Sequence, residues 1–567
     1  MRALFSSSMR FLSSEVRGLQ MTVYILAFSA LLSSLLALFR DRLFAHTFGA
    51  GLELDLYYAA FRIPDLIFVA AGALVSVYVL IPELSKRSEA EQRNYIDTII
   101  VGFSFLIIAA ASIAYVFAPD ILARLFPQYA SIGHGSTLVE LTRIMLIQPI
   151  LLGFSNICAA ITQTKRRYLL YSLSPLLYNA GIIVGLFAFY PTMGLPGLAT
   201  GVVVGAALHL GIQIPSAFAD GFFSRLPWIR DVRALITTIA ISIPRALSLS
   251  VAQIAFLGLV ALAAFLEEGS VAVFIFAFNL QAVPLSVIGA SYSVAAFPTL
   301  AAALSRGERE VFMANITTAA RYVLFWSLPT TALIIVLRAH LVRVILGSGA
   351  FDWTDTRLTA AAFAIFALGL AAQGLTLLLV RGYYAAGRTF TPFFVAVAMA
   401  FGIIGSARYF LHLFESPATL AFVQQLFRLE DVEGSSVLAL ALAYALVSIL
   451  GTVVLAFLFE RRFGGFVREI VPSLVHGVFA GLAAASAAYT VLSILGPLTL
   501  ASTLLSVFVR GFAAGIVGIA AAALIYALFS NREFFETVAG LQNRLWKSAP
   551  PVQPISSAEE ASASGPQ

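Results

Sequence analysis

Apolar runs of about 20 residues recur along this chain from one end to the other, each long enough to cross a hydrocarbon core about 30 Å thick as an α-helix. The runs are continuous rather than alternating, which argues against a transmembrane β-barrel. Of the 567 residues, 60% are hydrophobic and 11% are charged. A soluble protein would carry roughly 25% charged residues. The sequence therefore predicts an all-α polytopic membrane protein.

Counting these runs gives about 14 transmembrane helices. If the N-terminus is cytoplasmic, 23 of the 35 Lys and Arg residues fall in cytoplasmic loops. Because basic residues collect on the cytoplasmic side, we expect a multi-pass protein of the cell inner membrane with both termini cytoplasmic. The same loops account for the formal charge of +6, so nucleic acid is not an expected partner. The approximate centres of the runs are residues 30, 69, 110, 151, 179, 206, 250, 287, 333, 372, 401, 447, 483 and 516.

Two pairs of prolines predict a six-helix repeat. Pro82 and Pro298 each end a span before a basic loop, and they lie 216 residues apart. Pro175 and Pro392 each follow a basic loop near the start of a span, and they lie 217 residues apart. Chance among the 22 prolines is the competing explanation. Because six is an even number, the two halves would be parallel, as in transporters that bind substrate at the interface of two repeats.

The repeat predicts two parallel six-helix lobes that form a V-shaped cavity, plus two extra C-terminal helices. We place the N-lobe at 21–220, the C-lobe at 234–465, and spans 13 and 14 at 466–530. The basic, weakly amphipathic residues 1–20 lack a cleavable signal and are interpreted as an interfacial segment. Residues 548–567 have the composition of a disordered tail.

The densest charge surrounds the first predicted outer loop and the start of span 2. The forked guanidinium groups of Arg40 and Arg62 are suited to a phosphate-bearing headgroup. The alternative is that Arg40 and Asp55 pair with each other and hold two helix ends together. The chain has no phosphate-binding loop, no H-E-x-x-H motif and no metal-spaced histidines, so we expect neither an enzyme nor a cofactor. The charged cluster comprises Arg40, Asp41, Arg42, His46, Glu53, Asp55, Arg62 and Asp65.

This region carries a specific motif. It reads F-R-D-R-L-F-A-H-T-F-G-A-G from Phe39 to Gly51, then Asp55, then A-F-R-I-P-D-L from Ala60 to Leu66. The run resembles the lipid II flippases of the MurJ (MviN) family, which have R-D, F-G-A-G, D and A-F-[KR]-[LI]-P-[ND]-L at this spacing. The resemblance covers roughly residues 20–530, with an enlarged outer loop near 412–435. Further matches are P-L-L-Y-N at 175–179, Q-I at 253–254, G-S-V at 269–271 and R-G-Y-Y-A at 381–385.

The resemblance implies a transporter of the multidrug/oligosaccharidyl-lipid/polysaccharide exporter superfamily, whose two lobes alternate between inward-open and outward-open states. It also implies that spans 13 and 14 form a groove for an undecaprenyl tail, and a role in peptidoglycan biosynthesis and cell shape. In the family, cavity arginines on spans 1, 2 and 8 hold the pyrophosphate. Here those positions carry Ser34, Phe68 and Asn279, and an acidic position on span 8 carries Ala282.

Of the family's functional charges, Arg40 and Asp55 remain. A pyrophosphate in a partly dehydrated cavity needs compensating charge or several hydrogen bonds. We therefore predict a lipid II flippase that acts by alternating access from the cytoplasmic to the outer leaflet, and keep two alternatives open. One is an exporter of another polyprenyl-linked glycan of the O-antigen type. The other is a degenerate, non-transporting scaffold that recruits cell-wall synthesis enzymes.

The predicted partners are a lipid-linked glycan and membrane lipids, and the protein is expected to act as a monomer. A polar cavity would favour transport, whereas a cavity filled by apolar side chains would favour the scaffold. A drug/cation antiporter is disfavoured because spans 1, 7 and 8 lack a well-placed carboxylate. The predicted substrate-binding residues are Arg40, Asp55, Arg62, Ser34, Asn279 and Gln281.

Overall fold

The computed structural model describes residues 19–223, 226–498 and 502–546, and within them it contains helices and no strand. The predicted interfacial segment 1–20, apart from its last two residues, and the predicted tail 548–567 lie outside the described residues. In the first half of the chain the helices are α1 (Leu19–Phe48), α2 (Leu52–Ala60), α3 (Arg62–Gly72), α4 (Val77–Ser85), α5 (Glu89–Leu125), α6 (Pro127–Ser131), α7 (Gly135–Met145), α8 (Ile147–Thr164), α9 (Tyr168–Val184), α10 (Tyr190–Met193), α11 (Leu195–Gly211) and α12 (Ile214–Ala219).

The second half of the chain is built in the same way. Its helices are α13 (Val232–Ala263), α14 (Ser270–Leu285), α15 (Ser291–Ser305), α16 (Arg309–Ile345), α17 (Trp353–Leu368), α18 (Leu370–Ala385), α19 (Phe390–Phe414), α20 (Pro417–Phe427), α21 (Leu438–Phe463), α22 (Phe466–Leu495), α23 (Leu504–Leu528) and α24 (Arg532–Trp546). Single π-helical turns, Gly185–Phe189 and Ser286–Ala290, join α9 to α10 and α14 to α15, and a short 3-10 turn, Ser435–Val437, precedes α21.

Eleven helices of the described chain are long and apolar enough to cross a membrane, or twelve if the pair α17–α18, bent by 44°, is one span. This confirms an all-helical membrane protein, but the predicted number of 14 is not confirmed. The two remaining predicted spans, near residues 30 and 69, correspond to α1 and to the series α2–α4. That series is broken at Phe61 and again at 73–76, so none of its helices reaches the length of a full span.

The two halves share a second irregularity besides their prolines. The break between α3 and α4 begins at Ala73. The position 216 residues later, which is the spacing of Pro82 and Pro298, is Gly289. Gly289 lies within the π-helical turn Ser286–Ala290. Each interruption directly precedes the helix that carries the repeated proline, α4 with Pro82 and α15 with Pro298. The matching interruptions support the repeat; the domain boundaries proposed above remain a prediction.

The helices pack into two groups, which we call the N-terminal bundle (α1–α12) and the C-terminal bundle (α13–α21). Within the first, α9 packs against α11 and α1; within the second, α19 packs against α21 and α16 against α17 and α18. The last long helices, α22 and α23, pack against each other and against α16. They therefore extend the C-terminal bundle on the α16 side.

Candidate functional site

A cavity of about 690 Å³ lies between the two bundles. Its walls come from α1–α3 and α9 on one side and from α13, α14, α18, α19 and α21 on the other. The position between two repeats is where transporters of this architecture bind substrate. Its polar lining residues are Arg40, Tyr57, Tyr58, Arg62, Asp65, Tyr178, Gln253, Asn279, Thr376, Tyr444 and Ser448.

Arg40 lines the cavity from the last third of α1, and its side chain is 18% exposed. Its Nη2 lies 2.7 Å from Oδ1 of Asp41 and its Nε donates to the same oxygen at 3.0 Å. Nη1 donates to Oδ1 of Asn179 on α9 at 3.0 Å. The guanidinium is thus held in place by one carboxylate and one amide, and it is oriented before any ligand arrives.

Asn279 joins this network from the other bundle. Its Nδ2 donates to Oδ2 of Asp41 at 2.9 Å, so the Asp41 carboxylate bridges Arg40 and Asn279 across the cavity. Asp41 is 3% exposed, and a carboxylate buried to this degree requires such partners. Asn279 stands where the family pattern has an arginine, and here its neutral amide binds the buried carboxylate of Asp41.

Arg62 lines the cavity one helix further along, at the start of α3. Its Nε donates to the carbonyl oxygen of Tyr58 at 3.0 Å, and its Nη2 lies 3.4 Å from Oδ2 of Asp65. The guanidinium carbon lies 5.2 Å from the centre of the Phe256 ring on α13, within the range of a cation–π contact. Like Arg40, Arg62 has a carboxylate beside it.

Asp55 does not line the cavity. It is 2% exposed and accepts hydrogen bonds from the backbone N–H groups of Gly269 and Ala272, both at 2.8 Å. These groups belong to the first turn of α14 and the residue before it, so Asp55 of one bundle caps a helix of the other. The hypothesis that Arg40 and Asp55 pair is wrong, because Arg40 pairs with Asp41.

The capping is reciprocal. Oε1 of Glu268 accepts from the N–H of Leu52, the first residue of α2, at 3.2 Å. Oδ2 of Asp355 on α17 accepts from the N–H of Ala50 at 3.1 Å. We call this contact between residues 49–55 and residues 267–272 and 349–355 the interbundle seam. Phe44 and Leu54 of one bundle and Phe351 of the other are buried in one core cluster here, so the seam closes the end of the cavity beyond Phe44.

The helices that continue the chain from α2 and α14, away from the seam, pack within their own bundles. α4 packs mainly against α8 of its own bundle, and α15 packs against α16 and α18 of its own. The two bundles are therefore joined at the seam, by the Asp41–Asn279 contact and by α13, which packs on α3 and α5 of the N-terminal bundle. Arg42 on α1 adds a further contact, because its Nη1 donates to the carbonyl oxygens of Val344 and Ile345 on α16.

Three of the predicted site residues lie away from the cavity surface. Ser34 donates to the carbonyl oxygen of Ala30 within its own helix. Gln281 is 1% exposed, and its Nε2 has no hydrogen-bond partner among the described residues. Phe68 and Ala282, which occupy charged positions of the family pattern, do not line the cavity either. The structure thus brings together Arg40, Arg62 and Asn279.

The sequence-based reasoning missed the aromatic lining of this cavity. Ring stacking and hydroxyl hydrogen bonds are the means by which such walls hold a ring-shaped or polar ligand. The hydroxyl of Tyr58 is buried and has no hydrogen-bond partner among the described residues. The family motif contained Phe44, Phe61 and Tyr178, but it gave no signal that these side chains line a cavity. The aromatic lining residues are Phe44, Tyr57, Tyr58, Phe61, Tyr178, Phe256, Phe278 and Tyr444.

The charges of the cavity are balanced rather than positive, since Asp41 and Asp65 accompany Arg40 and Arg62. Among the described residues, no group of three or more His, Cys, Asp or Glu side chains could hold a metal ion. The arrangement can bind an anionic group by exchange, with the ligand replacing a carboxylate on a guanidinium. It can also hold neutral polar groups through its amides and hydroxyls.

Curated relatives support one family. The chain is 25% identical over 382 residues to the probable lipid II flippase MurJ of Buchnera aphidicola subsp. Schizaphis graminum, covering 65% of this chain and 74% of the relative. It is 26% identical over 380 residues to the probable lipid II flippase MurJ of Thermotoga maritima, covering 66% of this chain and 76% of the relative.

Solved structures show the same fold. A lipid II flippase MurJ in an inward closed conformation superposes with a TM-score of 0.70 at 21% identity, covering 91% of this chain and all of that one. An inward-facing multidrug resistance transporter of the MATE family superposes with a TM-score of 0.62 at 15% identity, covering 79% and 99%. The family model described as "Lipid II flippase MurJ" matches residues 44–509. Because this match spans most of the chain, the protein belongs to the lipid II flippase MurJ family.

Proposed function

We propose that the protein is a lipid II flippase that carries its cargo from the cytoplasmic to the outer leaflet by alternating access. The observation that carries the proposal is the cavity between the bundles, which presents Arg40, Arg62 and Asn279 and is closed at one end by the interbundle seam. Family membership supports the cargo. A cavity with these polar side chains is what a transporter needs and what a scaffold does not.

In this proposal the seam faces the outside, which matches the predicted cytoplasmic location of both termini. The headgroup enters the cavity from the cytoplasmic end, and its phosphates take the place of Asp41 and Asp65 on the two guanidinium groups. Asn279 and the hydroxyl of Tyr58 supply further donors. Opening of the seam and closure of the opposite end would then release the headgroup outside. The lipid tail would lie along α22 and α23.

The test is rescue of a bacterial strain depleted of its own lipid II flippase. Growth and normal cell shape are expected with the native chain, and loss of growth with Arg40→Ala at equal membrane abundance. If the native chain fails to rescue although it reaches the membrane in normal amount, the lipid II version of the proposal is wrong.

A second cargo has one observation in its favour. Aromatic side chains of the cavity walls can stack on sugar rings whatever the glycan, and the neutral amides and hydroxyls can bind its polar groups. An exporter of another polyprenyl-linked glycan therefore fits these walls as well. Rescue of an O-antigen exporter mutant, without rescue of the lipid II flippase strain, would select this alternative.

A further inference from the structure

A second cavity, of about 750 Å³, lies on the outer surface of the N-terminal bundle. It is a groove between the C-terminal part of α5 and α7, and it shares no lining residue with the central cavity. Its walls are mostly apolar, and Tyr115 and Ile147 on its rim are 50% and 46% exposed. In a membrane protein an exposed apolar rim of this kind faces lipid.

Two charged side chains line this groove, Arg143 and Glu140, one turn apart on α7. Nε of Arg143 donates to the carbonyl oxygen of Tyr115 at 3.1 Å, and the guanidinium carbon lies 4.6 Å from the centre of the Tyr115 ring. In the described part of the chain, neither Nη group of Arg143 has a hydrogen-bond partner and no carboxylate oxygen lies within 4 Å of it. Glu140 is exposed and forms no ion pair with it.

The position of Arg143 beside α5 makes its two open Nη groups notable. Tyr115, which it contacts, precedes the exposed charge of Asp120 on α5 by five residues, or about 7.5 Å along the helix. A guanidinium below the level of the interface is costly, and such groups have a charged partner or a function. The protein supplies a fixed orientation for Arg143 and leaves its two Nη groups open towards the groove.

We propose that this groove binds a glycerophospholipid whose headgroup carries a primary ammonium, the class of phosphatidylethanolamine. The forked Nη groups of Arg143 would hold two oxygens of the phosphodiester, which is the geometry that guanidinium groups prefer. The ammonium would reach Glu140, and an acyl chain would lie along Tyr115 and Ile147. One cation and one carboxylate in the same groove, not paired with each other, match a headgroup that carries both charges.

The charge pattern also selects against other lipids. A phosphodiester carries one negative charge, whereas a lipid-linked diphosphate carries two and would meet the Glu140 carboxylate with a single arginine to offset it. Phosphatidylglycerol has no cationic group for Glu140. The groove is therefore distinct in specificity from the central cavity, and the inference does not depend on the proposed function.

Native mass spectrometry of the full chain after delipidation tests the inference, with phosphatidylethanolamine and phosphatidylglycerol as competing probes. The native chain is expected to prefer phosphatidylethanolamine, and Arg143→Gln to weaken binding of both lipids by about tenfold or more. Glu140→Gln should remove the preference and leave binding of phosphatidylglycerol intact or stronger. Arg124→Gln, an exposed arginine at the end of α5 outside the groove, is the matched control and should behave as the native chain does.

A second variant keeps the test independent of charge changes. Ile147→Trp would fill the open rim and should displace either lipid while leaving the Arg143–Tyr115 contact in place. Unchanged phosphatidylethanolamine binding in both Arg143→Gln and Ile147→Trp would overturn the inference. So would equal binding of the two lipids by the native chain, or a preference for undecaprenyl diphosphate at this site.

Discussion

The carboxylate of Asp55 accepts a hydrogen bond from the backbone N–H of Gly269 at 2.8 Å, although the two residues belong to different bundles. Asp55 thereby caps α14, and Glu268, beside Gly269, caps α2 in return through Leu52. Each bundle satisfies the free N–H groups at the start of a helix in the other. These side-chain caps exist only while the seam is closed, and water would have to replace them when it opens.

Replacement of Asp55 by alanine should favour opening of the seam. It leaves the N–H groups of Gly269 and Ala272 without their acceptor, at a cost of about 1–3 kcal/mol to the closed arrangement. Distances between spin labels at Thr47 and Thr354, both exposed beside the seam, measure this. The native Cys158 is buried and does not compete for the label.

The expected result is a longer and broader distance distribution in Asp55→Ala than in the native chain. Glu268→Gln is the matched control, because an exposed amide oxygen can still accept from Leu52, and its distribution should remain close to the native one. A native distribution in Asp55→Ala would mean that other contacts hold the seam closed.

Gly269 should not tolerate a side chain. Its φ of +85° lies in the left-handed region, and an added methyl group would overlap the carbonyl oxygen of Ala50 across the seam. Gly133 has the same φ of +85° but open space around it, so Gly133→Ala carries the conformational cost alone, about 1–2 kcal/mol. Gly269→Ala should lower the thermal unfolding temperature by clearly more than Gly133→Ala. Equal losses would show that the close approach to Ala50 is unimportant.

The close contact of α9 and α11 makes a similar prediction within one bundle. A methyl group at Gly205 would overlap the carbonyl oxygen of Tyr178, and one at Gly201 would overlap the backbone of Gly185. Small residues of this kind let membrane helices approach closely. Gly205→Ala should therefore reduce the amount of folded protein extracted in mild detergent. Gly211→Ala, in the same helix with open space around the glycine, should not.

The loop after α20 gives a prediction about pH. Arg357 on α17 donates to both carboxylate oxygens of Asp431, at 2.8 and 2.7 Å, and these hydrogen bonds lower the pKa of Asp431 below its ordinary value of 3.8. A lowered pKa means that the contact is fully stabilising above pH 3.8 and is lost as the pH falls through the folded value.

A spin label at the exposed Glu430 reports this contact. Its mobility should stay constant from pH 7 down to about 4 and increase only at lower pH. In Arg357→Gln the label should already be mobile at pH 7, and its mobility should not increase further below about pH 4. A transition near neutral pH in the native chain would contradict the assignment to Asp431.

The sequence predicted the class of fold because its signals are local. Apolar runs and loop charge depend only on residues close together in the chain, and the proline spacing pointed to a repeat that the matching interruptions at Ala73 and Gly289 support. The predicted number of 14 spans is not confirmed, because the series from α2 to α4 looks continuous in hydropathy but is broken at Phe61 and at 73–76. Hydropathy does not report such breaks.

The site was harder to predict because its contacts join distant parts of the chain. Nothing local shows that Asp41 rather than Asp55 faces Arg40, since neighbouring residues on a helix usually point in different directions. Asn279 reaches Asp41 across 238 residues of sequence. The family pattern marked Asn279 as a lost arginine, whereas the structure shows it as the partner of a buried carboxylate.

Two substitutions of Arg40 test separately whether transport needs its positive charge and whether it needs the forked shape of the guanidinium. Arg40→Ala should abolish rescue of the flippase-depleted strain, because the cavity then keeps the Asp41 carboxylate without its cation. Arg40→Lys keeps the charge but loses the fork that reaches Asp41 and Asn179 together, so partial rescue is expected. Membrane abundance, measured by immunoblot, is the control, with Arg408→Lys, an exposed arginine of α19 outside the cavity, as the matched variant. If Arg40→Ala lowers abundance and growth in the same proportion, Arg40 serves folding rather than transport.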